Sequence, residues 1–278
     1  MRLIALALLG WMLVAGISQP ASAQTSPPPG SHPPEASPAP AASAPVPAPA
    51  PPAAAPASAT PAPGAAPATV AAPAGPVYVV TYFEVTPSGA RKTAALLRLF
   101  ADSTRKADGN TELTVLHEIG RPGRFALVEA WKDKTALDAH GAAMKALGDK
   151  LQPIFTGPFD ARQFVPLAVG AAPSEPLSTG AIYVLTHVDV FPQGKDEVAA
   201  AVKKLTEDSR KDGGSLRFDA LVWDGHPNHF HLIEAWADRK ALEAHQAEDH
   251  TKAFRAKLVP FEGAFYDERF YEVVKKTE

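Results

Sequence analysis

Cysteine is absent from all 278 residues. Its absence excludes a disulfide framework, a thiolate metal site and a lipid-bearing Cys at any cleavage point. An excess of charge is also missing: 27 Lys plus Arg face 30 Asp plus Glu, for a formal net charge of -3, with no long run of one sign. Nucleic-acid and polybasic membrane-surface binding both depend on clustered positive charge, so neither is expected. The sequence contains no Gly-rich phosphate loop, nucleotide fingerprint or nucleophile elbow. Past the first residues, no apolar run is long enough to span a bilayer.

Those first residues have the form of an export signal. Arg2 supplies a positive start, residues 3–17 are almost wholly apolar, and Ala21-Ser22-Ala23 offers a small-residue cleavage site. The expectation is a signal peptide over 1–23, a mature chain from Gln24, and a periplasmic or secreted protein with no transmembrane segment after cleavage. Residues 24–76 are dominated by Pro, Ala and Ser, which restrict φ, remove donors and offer little to a core. This stretch is expected to be a disordered, polyproline-like tether.

The remaining residues repeat. Tyr78-Val79-Val80-Thr81 recurs as Tyr183-Val184-Leu185-Thr186, a shift of 105, and Arg105-Lys106, Gly109 and Glu129-Ala130-Trp131 recur as Arg210-Lys211, Gly214 and Glu234-Ala235-Trp236. Leu151-Gln152-Pro153 matches Leu258-Val259-Pro260 with a shift of 107, so the second copy gains two residues within its second helix. The boundaries this gives are 77–167 and 181–274, with 168–180 as the connection.

Each copy shows the same succession of patterns. Residues 77–85 and 182–190 alternate and are rich in β-branched side chains, which predicts a strand. Thr93, Leu97, Phe100 and Thr104, and likewise Val198, Val202, Leu205 and Ser209, then form a helical stripe. Gly109 and Gly213-Gly214 stop that helix. Two strands follow as a hairpin, turning at Arg121-Pro122-Gly123 and His226-Pro227-Asn228. Asp133 and Asp238 are placed to cap a second helix that turns Leu137 and His140, or Leu242 and His245, inward. A last strand runs over 159–165 and 266–273.

This order, strand, helix, two strands, helix, strand, is the ferredoxin-like βαββαβ arrangement of an α+β fold. Two helices cover one sheet face and leave the other bare and apolar, so the two copies are expected to pack sheet to sheet as an intramolecular pseudo-dimer, an α+β barrel.

Glu129-Ala130-Trp131 with Ala136-Leu137-Asp138-Ala139-His140, and Glu234-Ala235-Trp236 with Ala241-Leu242-Glu243-Ala244-His245, resemble the Glu-x-Trp and Ala-Leu-x-x-His pattern of the antibiotic biosynthesis monooxygenase family. The resemblance spans both copies. It implies a dimeric α+β barrel and oxidation of a phenolic or quinol-like molecule by molecular oxygen without a cofactor. The family's heme-degrading branch is less similar, since its strand-one asparagine falls on Tyr82 or His187. Other function classes open to such a chain are a non-catalytic binder of an aromatic ligand or heme, and a tethered assembly module.

Cofactor-free chemistry with oxygen needs a substrate that is itself a reductant, made anionic by a general base near neutral pKa, and histidine suits that role. The candidates are His245, His187 and His250, with Trp236 as an aromatic wall, drawn together in one pocket between helices and sheet. The first copy has Tyr82 in place of His187 and no second histidine after His140, which makes it the poorer site. His226, His229 and His231 form a rival, metal-binding grouping, set aside because the first copy carries Arg121, Arg124 and Ala126 at those positions. Glu129 and Glu234, surrounded by apolar neighbours, are expected to pair with Arg162 and Arg269.

Overall fold

Alternation between two buried surfaces, rather than between core and solvent, governs these strands. The computed structural model describes residues 75–171, 177 and 180–274. The expected signal segment and nearly all of the expected tether lie outside the described residues. The first unit runs β1 (Val77–Glu84), α1 (Ala90–Thr104), β2 (Asn110–Glu118), β3 (Arg124–Trp131), α2 (Lys134–Leu151) and β4 (Asp160–Ala168). The second runs β5 (Ile182–Asp189), α3 (Lys195–Ser209), β6 (Ser215–Trp223), β7 (His226–Trp236), α4 (Arg239–Ala247), α5 (Asp249–Leu258) and β8 (Asp267–Val273).

Local chemistry sets the helix limits. Asp133 and Asp238, both extended, each accept a hydrogen bond at 2.8 Å, from the backbone N–H of Ala136 and Ala241 respectively. Gly109 and Gly214 follow α1 and α3 at φ 79° and 84°, a region that L side chains rarely adopt. A Cβ on Gly214 would also come within 2.5 Å of the Ala241 side chain, so glycine lets the turn lie against α4. The predicted stripes are the ones buried, except that Ala101 replaces Phe100 in the fully buried set of α1.

The eight strands close into one barrel in the order β1-β3-β2-β8-β5-β7-β6-β4. Each unit's last strand bridges the two. β4 pairs with its own β1 and with β6, where Phe164 faces Trp223, and β8 pairs with its own β5 and with β2, where Leu116 faces Val273. Facing sheets alone would leave four exposed strand edges, and this exchange leaves none. It also corrects the expected connection: β4 continues to Ala168, pairing with Ala220, so the first residue assigned to the linker is strand.

Three apolar layers result. Val80, Leu116, Val128, Phe164, Leu185, Ile233 and Tyr271 fill the barrel interior. Leu97, Val115, Leu127 and Leu151 lie beneath the first pair of helices, and Val184, Val202, Phe230 and Trp236 beneath the second set. Inside the barrel Arg217 of β6 forms an ion pair with Glu112 of β2 and donates at 2.7 Å to Asp219. Asp219 also accepts from the Gly170 N–H at 2.8 Å. Arg217 and Asp219 are almost fully buried, so this charged cluster has little water to rely on.

The two residues gained by the second copy appear as a break. The second helix of the first unit is continuous, whereas its counterpart stops at Ala247 and restarts at Asp249 around Glu248, whose φ of -66° and ψ of 147° are extended. Among the described residues no helix is long and apolar enough to cross a membrane.

Candidate active site at the barrel mouth

The sequence-predicted residues fall on opposite faces of the second unit's sheet. Trp236, His245 and His250 come together between sheet and helices. The Trp236 and His245 rings stack with centroids 4.4 Å apart, and the His250 ring lies 5.7 Å from that of His245. Asp212, in the turn after α3, unites them: its Oδ2 is 2.8 Å from His245 Nδ1 and 3.1 Å from His250 Nε2. Thr251 Oγ1 lies 3.5 Å from His245 Nε2. Burial, opposed by Asp212, holds the His245 pKa below its ordinary value. Trp236 is completely buried, so it serves as core rather than as the wall of an open pocket.

His187 does not join this group, which corrects the expectation of a single pocket. Strand period is the reason. Val184 and Val188 of β5 face the helices, so His187 faces the barrel interior, opposite His231 in the β5–β7 register. There a second cluster forms. Arg162 Nη1 is 2.7 Å from His187 Nε2, His187 Nδ1 is 3.2 Å from His231 Nδ1, and His231 Nε2 is 3.4 Å from the Tyr82 hydroxyl.

A guanidinium can only donate, so the His187 proton sits on Nδ1 and is shared with His231, whose own proton then faces the Tyr82 oxygen. Both rings are neutral in this scheme. Burial, reinforced by Arg162, lowers the His187 pKa, and burial, reinforced by His187, lowers that of His231 much further.

A cavity of about 360 Å³ opens beside this chain, lined by Tyr82, Asp160, Arg162, Leu185, His187, Asp189, Ala264, Phe265, Asp267 and Arg269. Asp160 holds Arg162 through two bonds of 2.8 and 3.0 Å, and Asp267 holds Arg269 at 2.7 Å. The Arg162 guanidinium also lies 4.9 Å from the centroid of the Trp223 ring. Both arginines are therefore occupied, which corrects their expected pairing with Glu129 and Glu234. The glutamates point to the helix side, where each accepts from its neighbouring tryptophan indole, at 3.1 Å for Glu129 and 3.0 Å for Glu234.

Burial pushes the Glu234 carboxyl up to about 8, despite the Trp236 hydrogen bond, and that of Glu129 to about 7. The folded state thus keeps a proton that the unfolded chain releases near pH 4.3, and stability present below that pH is lost as pH rises towards about 8. Glu234→Gln keeps an acceptor for the indole and removes the titration. In urea unfolding the variant should gain on wild type between roughly pH 5 and roughly pH 8.5, by on the order of 4 kcal/mol. A difference that does not change with pH would exclude the raised carboxyl.

The rival histidine grouping meets in part: the His226 and His229 rings lie 5.6 Å apart, while the His231 ring stacks on Phe164. His231 points inward, His226 lies on Trp223 with ring centroids 4.5 Å apart, and His229 Nδ1 lies 2.6 Å from Asp189 Oδ1. Sequence reasoning missed Asp212, Asp189, Arg162, Arg269 and Tyr82 as members of these clusters. Asp212 was detectable, since the aligned residue of the first copy is Ala107.

Comparison with known proteins follows this geometry. The family model described as "Antibiotic biosynthesis monooxygenase" matches residues 76–145 and 181–257, one segment in each unit. A protein of Bacillus subtilis (strain 168), "Putative monooxygenase YcnE", is 28% identical over 76 residues, which are 27% of this chain and 80% of that protein. Two crystal structures carrying the name "putative monooxygenase" share the fold across both units. The one from Fusobacterium nucleatum has a TM-score of 0.66 at 18% identity, covering 73% of this chain and 94% of its own. The one from Lactobacillus acidophilus NCFM has a TM-score of 0.61 at 15% identity, covering 72% and 95%. The chain belongs to the antibiotic biosynthesis monooxygenase family and carries two copies of its domain in one polypeptide.

Proposed function

We propose that this chain is an exported, cofactor-independent monooxygenase that oxidises a phenolic or quinol-like molecule at the barrel mouth. One observation carries the reading: a cavity of about 360 Å³ holds a neutral imidazole beside two guanidinium groups. Export rests on the signal-like residues 1–23, and it favours a small diffusible substrate over an intermediate of intracellular biosynthesis.

The chemistry follows from the charges. A substrate hydroxyl donates to His187 Nε2, the nitrogen that Arg162 otherwise occupies, and Arg162 turns to the oxyanion that forms. Asp189, whose Oδ1 lies 3.8 Å from His187 Nε2, balances the imidazolium. The anion is the reductant that ground-state oxygen requires. For a phenol with a hydrogen on the reacting ring carbon, HO–Ar–H + O₂ gives the quinone O=Ar=O + H₂O, the hydroxyl and ring hydrogens leaving as water, so atoms and electrons balance without an outside donor.

Oxygen consumption by the purified chain over a panel of hydroquinones and phenols, beside a heme titration followed by absorbance, tests this reading. Turnover that depends on His187 and Arg162 supports it. Turnover lost in His245→Ala but kept in His187→Ala moves the base to the imidazole backed by Asp212, which is the second reading. Saturable heme spectra without turnover replace the enzyme with a carrier, and silence in both assays leaves an assembly module on a tether.

A further inference from the structure

We propose that Asp212, His245 and His250 form a binding site for a zinc-class divalent cation, peculiar to the second unit. One donor atom from each of the three residues lies within 4.8 Å of the other two, and they come from three segments: the turn after α3, helix α4 and helix α5. Two imidazoles and a carboxylate are a donor set that suits zinc.

The spacing fits. Zinc bound tetrahedrally at about 2.0–2.1 Å would hold its ligand atoms roughly 3.3 Å apart, while the carboxylate oxygen stands 2.8 and 3.1 Å from the two nitrogens. An opening of a few tenths of an ångström accommodates the ion. Thr251 Oγ1 lies 3.4 and 3.5 Å from the two ring nitrogens of His245 and so leaves the tautomer to the ligand. Arg255 is the cation that acts on His245, and it is itself paired with Glu268, so its repulsion is largely compensated.

Comparison of the two units is a second, independent argument. The first unit packs its second helix without interruption and has Ala107, His140 and Ala143 at the corresponding positions. The second unit breaks that helix at Glu248, forgoing helical hydrogen bonds that the fold does not require it to lose. The break turns the start of α5 so that His250 faces back to Asp212. Both departures, the new carboxylate and the broken helix, meet at one point. With side-chain exposures of 13%, 5% and 21% for Asp212, His245 and His250, the site suits an ion that ties the α3 turn to α4 and α5 rather than one that receives a substrate.

The test uses the mature chain purified without a histidine tag, stripped with chelator and titrated with zinc. Thermal unfolding should shift upward by roughly 5–10 °C at zinc about a hundredfold above its Kd, with one ion bound per chain. Asp212→Ala and His250→Ala restore the first unit's residues at these positions. They should fold without zinc and bind it at least about 100-fold more weakly. The proposal is overturned if wild type shows no zinc-dependent shift, or if both variants keep wild-type stoichiometry and shift. It is equally overturned if binding survives in them and disappears in His229→Ala, which would assign the ion to His187, Asp189 and His229 at the barrel mouth.

Discussion

Arg217→Ala should lower the stability of the barrel by about 3–5 kcal/mol, the cost of leaving a buried charge without its partner. The substitution strands one carboxylate and weakens the pairing of another. Glu112 loses the guanidinium that binds it from the other unit, and Asp219 retains the Gly170 N–H and a 3.3 Å approach from Arg210. The loss is therefore mostly that of Glu112, left in the interior without a cation beside it, and it shows as lower stability. Urea unfolding of wild type and variant measures it, with a midpoint shift at unchanged slope expected. Replacing Glu112 and Arg217 together with apolar residues of similar volume should recover most of the loss, because Asp219 keeps Arg210 and the Gly170 N–H. A single variant with wild-type stability would show that water reaches the cluster.

The second large effect is catalytic. His187→Ala should reduce kcat/KM for the best phenolic substrate by about 10²–10⁴, the usual contribution of a positioned general base. The side chain is 15% exposed at the edge of a cavity, so the variant should stay folded and its unfolding curve should stay near wild type. The pH profile separates a base from a merely structural residue. Burial and Arg162 hold the His187 pKa below its ordinary 6.5, so the ring stays unprotonated throughout the neutral range. The acid limb of kcat/KM should therefore fall below pH 6.5 and move upward when Arg162→Met removes the neighbouring charge. A wild-type profile flat through that region, or a His187→Ala rate within a few-fold of wild type, removes this residue from the proton transfer.

Much of the fold was legible because it rests on short-range physics. The repeat in register, the two aspartate caps, the glycine stops and the strand alternation each have a local cause, and the structure contains all of them. The exchange of β4 and β8 between units was not legible, since strand pairing at that distance leaves no mark in any window of sequence. The site was legible only in part. Trp236, His245 and His250 meet because they share one side of a sheet and its helices. His187 was misassigned by one step of a two-residue period, the smallest error a strand allows and one that moves a side chain across the whole sheet. The arginines were placed against the wrong glutamates by the same step: Arg162 and Arg269 turn into the barrel, whereas Glu129 and Glu234 turn out of it.

Glu112 and Arg217 stand 105 residues apart, the offset that relates the two copies, so they are one ancestral position meeting itself across the centre of the molecule. A homotypic pair of first copies would bring glutamate against glutamate there, and a pair of second copies arginine against arginine, each repelling in a dry interior. The halves have diverged into lock and counterpart. They carry opposite signs at one repeat position, which matches each to its covalent neighbour.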